Sequence, residues 1–132
     1  TAAIDAVHAV AALDHAGVDR RTTAEILRGV VSPRVLPRVC PHCANVSPDA
    51  AATPCAQCGG TTVLGHTAVF EVLWLTARLA DEVQRGGTVL ALHAQAVADG
   101  FRTLSTAAQG KLAAGEVSPE SLRAGFALRL MQ

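Results

Sequence analysis

The stretch Arg38-Val39-Cys40-Pro41-His42-Cys43 and its downstream counterpart Cys55-Ala56-Gln57-Cys58-Gly59-Gly60 hold every cysteine of the chain. Each is a Cys-x-x-Cys knuckle, and a short loop containing proline and alanine separates them. Tetrahedral zinc takes four soft donors at about 2.3 Å, and a knuckle supplies two thiolates along one edge of the tetrahedron. Cys40, Cys43, Cys55 and Cys58 are therefore the predicted ligands of one structural zinc ion. A residue tolerant of positive φ after the second cysteine helps to turn main-chain N–H groups towards the sulfurs. Gly59 meets that need and Ala44 meets it less well. Two disulfides are the competing arrangement, although nothing in the sequence points to an oxidising compartment. A redox dithiol needs only one such pair, at a helix start. A catalytic zinc keeps an open position, which four thiolates would close. His42 is expected at the exposed turn of the first knuckle rather than on the metal, since a fourth cysteine is available.

Residues 38–62 carry three of the six prolines and almost no large apolar side chains. Such a segment cannot fold by burial alone and needs a staple. On its N-terminal side, Asp5 is placed to cap a helix over Ala6 to His15, with Gly17 ending it in the left-handed region. Thr22 followed by Glu25 has the pattern of a capping box opening a second short helix through Leu27. Val30 to Val39, with its prolines and β-branched residues, reads as extended chain.

On the C-terminal side, Thr67 to Leu75 reads as a strand built on Val69, Phe70, Val72 and Leu73. Four helices follow: one from Thr76 to Gly86 and Gly87, one from Thr88 to Gly100, one from Leu104 to Ala114 before Gly115, and one capped by Ser118 with Pro119 in its first turn. Leu79 with Val83, Leu90 with Val97, and Leu122 with Phe126 and Arg129 are the expected inward faces. The predicted fold is mainly α with a few short strands. A small tetracysteine insertion lies between an N-terminal helical and strand piece and a C-terminal helical bundle, whose helices are expected to have a core of their own.

With 132 residues, half of them apolar, the chain is about one domain long and able to bury a core. Eleven basic and eleven acidic residues cancel, which removes the simplest reason to expect a nucleic-acid or membrane-surface partner. Trp74, Phe70, Phe101 and Phe126 are the only large aromatics, too few for a base-stacking platform. No apolar run approaches the roughly 20 residues that span a bilayer, and no secretory signal is expected. The chain begins with Thr1 rather than Met and is expected to be a piece of a longer protein.

Arg20, Arg21, Arg28, Arg34 and Arg38 form a locally basic run with only Asp19 and Glu25 among them. It reads either as a docking face and phosphate-binding arginine donor, or as solvated arginines. Arg34 and Arg38 would then offset the charge of about −2 on a zinc tetrathiolate. A freestanding zinc-ribbon adaptor binding nucleic acid or protein is the alternative function. His8, His15, His66 and His93 are scattered, and Glu71, with apolar neighbours on both sides, is expected to pair with an arginine in a structural role. Gly110-Lys111 lacks the upstream glycine and the hydroxyl residue of a phosphate-binding loop, so this chain alone is not expected to hydrolyse ATP.

The order of these features carries a resemblance. Asp5-Ala6, Ala16-Gly17-Val18, Leu27-Arg28-Gly29-Val30-Val31 and Arg34-Val35-Leu36 lead into Cys40-Pro41-His42-Cys43. Cys55-Ala56-Gln57-Cys58-Gly59-Gly60-Thr61, Gly65 and Val69-Phe70-Glu71-Val72-Leu73 follow. The series ends with Asp99-Gly100-Phe101-Arg102-Thr103-Leu104 and Lys111-Leu112-Ala113-Ala114-Gly115-Glu116-Val117-Ser118. Together they resemble the C-terminal part of the type II secretion and type IV pilus assembly ATPases, the family of general secretion pathway protein E and pilus assembly protein B. The resemblance implies that residues 1–37 end a RecA-like motor domain, 38–62 are a zinc-binding insertion and 63–132 are a strand with the C-terminal helical domain. It implies a parent that works as a cytoplasmic hexamer, peripheral to the inner membrane. There it would contact neighbouring subunits and an inner-membrane assembly-platform protein, without nucleic acid and without membrane insertion. ATP and Mg2+ would belong to the upstream part. The sequence departs from the family pattern at Ala2, where a histidine would fall, at Pro33 in place of glutamine, at His66 in place of arginine, and at Thr62 and Ala68 in place of glycines. Arg34 is the matched position that the resemblance would put against the nucleotide-bearing core.

Overall fold

A computed structural model describes residues 5–44 and 54–127. Its elements run α1 (Ala6–His15), α2 (Arg20–Ile26), β1 (Gly29–Val39), α3 (Pro41–Ala44), β2 (Val63–Trp74), α4 (Ala77–Gln84), α5 (Val89–Ala98), α6 (Leu104–Ala113) and α7 (Pro119–Ala127). The described residues are thus mainly helical, with one two-stranded sheet among them. Cys40 N–H donates to Thr62 O at one end of the strand pair and Leu75 N–H to Arg28 O at the other, so β1 and β2 run antiparallel. The cysteine segment is the connection between them.

Most helix starts follow from a single capping oxygen. Asp5, Thr76 and Thr88 sit in extended conformation and accept the N–H of His8, Leu79 and Ala91. Ser118 Oγ accepts Ser121 N–H at 3.0 Å, one residue ahead of Pro119. The second helix departs from the expected capping box. Its cap is Asp19, whose carboxylate takes the Thr22 N–H at 2.9 Å, and Glu25 instead pairs with Arg21 at 2.9 Å. A carboxylate just before the first turn satisfies the free N–H groups and meets the positive end of the helix dipole, so it prevails over a threonine already inside the helix.

The chain divides into two compact units that do not follow chain order: Thr1–Pro33 with Phe70–Leu104, and Arg34–Val69 with Ser105–Gln132. The first is built on Ala6, Val7 and Val10 of α1, Leu73 of β2, Leu79 and Val83 of α4, and Leu92 and Ala96 of α5. Leu90 and Val97, expected inside, are 79% and 48% exposed, while Leu92 is 4% exposed. Helix α5 is apolar nearly all round (Val89, Leu90, Ala91, Leu92), so its periodicity does not by itself choose a face.

In the second unit Leu36, Cys40, Val69, Ala108 and Val117 are buried. Gly125 of α7 lets the Leu36 side chain approach so closely that a Cβ there would clash. Val39 N–H donates to Glu116 O at 2.9 Å, joining β1 to the turn after α6. Helices α6 and α7 therefore share a compact unit with the cysteine segment, whereas the expectation was a helical core separate from it. Arg129, named with the face of α7, lies outside the described residues.

Candidate metal centre

The first knuckle starts where β1 ends. Cys40 is fully buried, its N–H is held by Thr62 O at 2.8 Å, and its own carbonyl accepts Ala44 N–H at 3.0 Å. That bond closes the single turn α3, with Pro41 at the first helical position, where a missing N–H costs nothing. The second knuckle closes through Gly59 N–H to Cys55 O at 2.7 Å, and the chain then turns through Gly59 and Gly60, with φ of 61° and 84°. Gly59 provides the left-handed turn expected of it.

The four sulfurs of Cys40, Cys43, Cys55 and Cys58 all lie within 4.8 Å of one another, and Cys43 Sγ stands 3.5 Å from Cys58 Sγ. Four sulfurs set about 2.3 Å from a common centre would be about 3.8 Å apart. The separations are far above a sulfur–sulfur bond of about 2.05 Å, and all four cysteines are free. Size and chemistry both fit: four thiols gathered in this way could hold a metal ion such as zinc. Cys43, Cys55 and Cys58 are half-buried and His42 is exposed, and the donors gathered among the described residues are these four sulfurs.

Crowding the sulfurs separates their acidities. The Cys43 thiol is pushed up to about 12, chiefly by donating its proton to Cys58 and then by burial. Burial also raises Cys58, but the Cys43 S–H and the N–H groups of Gly60 and Thr62 outweigh it and bring this thiol down to about 6. One thiolate thus forms readily at neutral pH, and a bound cation would displace the remaining protons, since the thiolate is the ligand form.

The other residues singled out from sequence are not gathered there. Glu71 is 3% exposed, and its carboxylate accepts the N–H of Ala6 at 3.4 Å and of Leu104 at 3.3 Å, the first residues of α1 and α6. His8 pairs with Asp5 at 2.8 Å, His15 hydrogen-bonds Ala11 O, His93 lies edge-on to Phe101, and His66 is exposed. Arg20 pairs with Asp14 at 2.8 Å and Arg21 with Glu25 at 2.9 Å, so two of the five arginines of the basic run are held by acidic side chains. Arg38 is exposed, and its charge helps to hold Glu116 ionised. The sequence marked Thr62 only as standing where the family pattern has a glycine and Glu116 only as part of the matched tail, and gave neither a place at the cysteine cluster. Thr62 is β-branched and signals strand, and Glu116 reaches the knuckle strand through a main-chain carbonyl that no side-chain pattern reports.

The amino-acid sequence matches the family model for type II/IV secretion system proteins over residues 2–124. The chain belongs to that family. Type II secretion system protein E of Klebsiella pneumoniae is 30% identical over 129 residues, covering 86% of this chain and 26% of the relative. Type II secretion system protein HxcR of Pseudomonas aeruginosa is 29% identical over 120 residues, covering 89% of this chain and 25% of the relative. Type IV pilus assembly ATPase PilB of Thermus thermophilus is 28% identical over 120 residues, covering 76% of this chain and 14% of the relative. This secretion-system chain therefore spans about a quarter of the length of the first two curated relatives. No helix among its described residues is long and apolar enough to cross a membrane.

Proposed function

We propose that this chain is the C-terminal, zinc-stabilised module of a motor ATPase for type II secretion or type IV pilus assembly. The carrying observation is the family match over residues 2–124, with a tetrathiol cluster in the connection between β1 and β2. In this reading residues 1–37 end a RecA-like motor domain, 38–62 form the zinc insertion with Cys40, Cys43, Cys55 and Cys58 as ligands, and 63–132 carry the C-terminal helices. Bound zinc would supply a rigid, closed tetrahedral node and no catalytic position. The ATP- and Mg2+-binding machinery lies in the parent's other segments, so the module has no ATPase activity of its own. Val31 and Val35, exposed at alternate positions of β1, support the RecA-edge assignment of residues 1–37, because a larger domain would cover them.

The parent would work at the cytoplasmic side of the inner membrane, with neighbouring subunits of a hexamer and an assembly-platform protein as partners. The cysteine segment is the proposed contact: a loop held rigid by metal loses little entropy on docking. Pairing of Arg20 and Arg21 with acidic side chains, together with the zero formal charge, weighs against the alternative of a nucleic-acid adaptor. The test uses the longer protein that carries the module. Gln57→Lys, on the exposed second knuckle, and Asn45→Lys, outside the described residues, are expected to impair secretion or pilus assembly while zinc content and melting temperature stay unchanged. Unaltered secretion, with a loop deletion equally silent, would leave zinc as a structural staple and remove the docking role.

A further inference from the structure

Thr62 is the one non-glycine residue with positive φ among the described residues, at 60°. A β-branched side chain is a strained occupant of the left-handed region, since its Cβ crowds the adjoining carbonyl. Such a conformation persists where surrounding bonds demand it. Here the demand is visible. Thr62 O accepts the N–H of Cys40 in the first knuckle at 2.8 Å. Thr61 secures the approach, its N–H donating to Cys58 O at 3.2 Å and its hydroxyl at 2.7 Å. The Thr62 hydroxyl bonds only locally, to Thr61 O at 2.6 Å.

We infer that Thr62 is a positioning residue of the metal centre, its left-handed main chain tying the Cys40 knuckle to Cys58 so that the four sulfurs are gathered before a metal arrives. The inference rests on the zinc reading of the four thiols. Its mechanism, as inferred, is main-chain hydrogen bonding in which the N–H groups of Gly60 and Thr62 donate to Cys58 Sγ, fix the direction of its lone pairs and temper the charge a thiolate brings to the ion. Partners of this kind, one shell out from a metal, typically change affinity by about 10–100-fold when lost. It follows that the side chain at this position is dispensable and the peptide N–H with positive φ is not.

The experiment compares the whole chain with Thr62→Gly and Thr62→Pro, measuring zinc stoichiometry, zinc affinity by chelator competition, and scalar coupling between a spin-active cadmium isotope and amide protons. In the cadmium-loaded wild type, coupling is expected to the amide protons of Gly60 and Thr62. Thr62→Gly, which keeps the N–H and relieves the strain, is expected to retain stoichiometry, affinity and coupling, with a higher melting temperature. Thr62→Pro, which has no N–H and cannot adopt positive φ, is expected to lower zinc affinity at least about tenfold. Wild-type protein that binds no zinc would overturn the zinc reading itself. Zinc bound normally by the wild type, but without coupling to these two amides or with undiminished affinity in Thr62→Pro, would overturn the positioning role alone.

Discussion

At the residue scale, carboxylates govern the response to acid. The Thr22 N–H, followed by its hydroxyl, holds Asp19 below the ordinary value of 3.8, and hydrogen bonding to Arg20 does the same for Asp14. Glu116 lies below 4.5 because Lys111 donates to it at 2.7 Å. A carboxyl group whose native value is depressed contributes stability above its unfolded value and loses that contribution as pH falls through the native one. These groups therefore stabilise the protein above pH 4.5 and cease to do so progressively below about pH 4. Asp19→Asn keeps a capping oxygen but cannot ionise. Its melting temperature, followed from neutral pH into acid, should fall less steeply than that of the wild type, and a parallel acid limb would show that Asp19 contributes nothing to it. This carboxylate escaped the sequence reading because Thr22 and Glu25 offered a competing cap pattern nearby. Only φ and ψ at the helix start decide between them.

At the element scale, punctuation was more legible than orientation. Asp5, Thr76, Thr88 and Ser118 could be read directly as caps because a cap is a local bond between residues three apart. The strand over Val69 to Leu73 was legible in the same way, although β2 starts at Val63, earlier than the predicted Thr67. The inward face of α5 was not legible, since an alanine- and leucine-rich helix lets several faces pass for the core. Leu92→Ala should cost about 2–5 kcal/mol in denaturant unfolding, the range for a buried leucine that leaves a cavity. Leu90→Ala, at a 79% exposed site, should fall within about 0.5 kcal/mol of the wild type. Equal costs would mean that α5 turns a different face inward.

At the scale of the whole molecule, chain order and compactness part company. The spacing of Cys40, Cys43, Cys55 and Cys58 announced the candidate metal site, because a knuckle is four residues long and its chemistry is written in those residues. That α6 and α7 belong with this site could not be read so, since it depends on Leu36 meeting Gly125 and on Val39 bonding Glu116, contacts between distant parts of the chain. The partition gives metal binding a larger role than holding one loop. If zinc is bound by the four thiolates, its binding free energy is folding free energy for everything that shares their core. Hydrogen exchange of zinc-loaded and chelator-stripped protein, resolved by segment, tests this most directly. On stripping, protection should collapse over residues 34–44, 54–69 and 105–127 and persist over 5–33 and 70–104, following the two compact units. Identical exchange with and without chelator would contradict a resident structural metal, and a loss confined to 40–44 and 54–62 would contradict its role in holding α6 and α7.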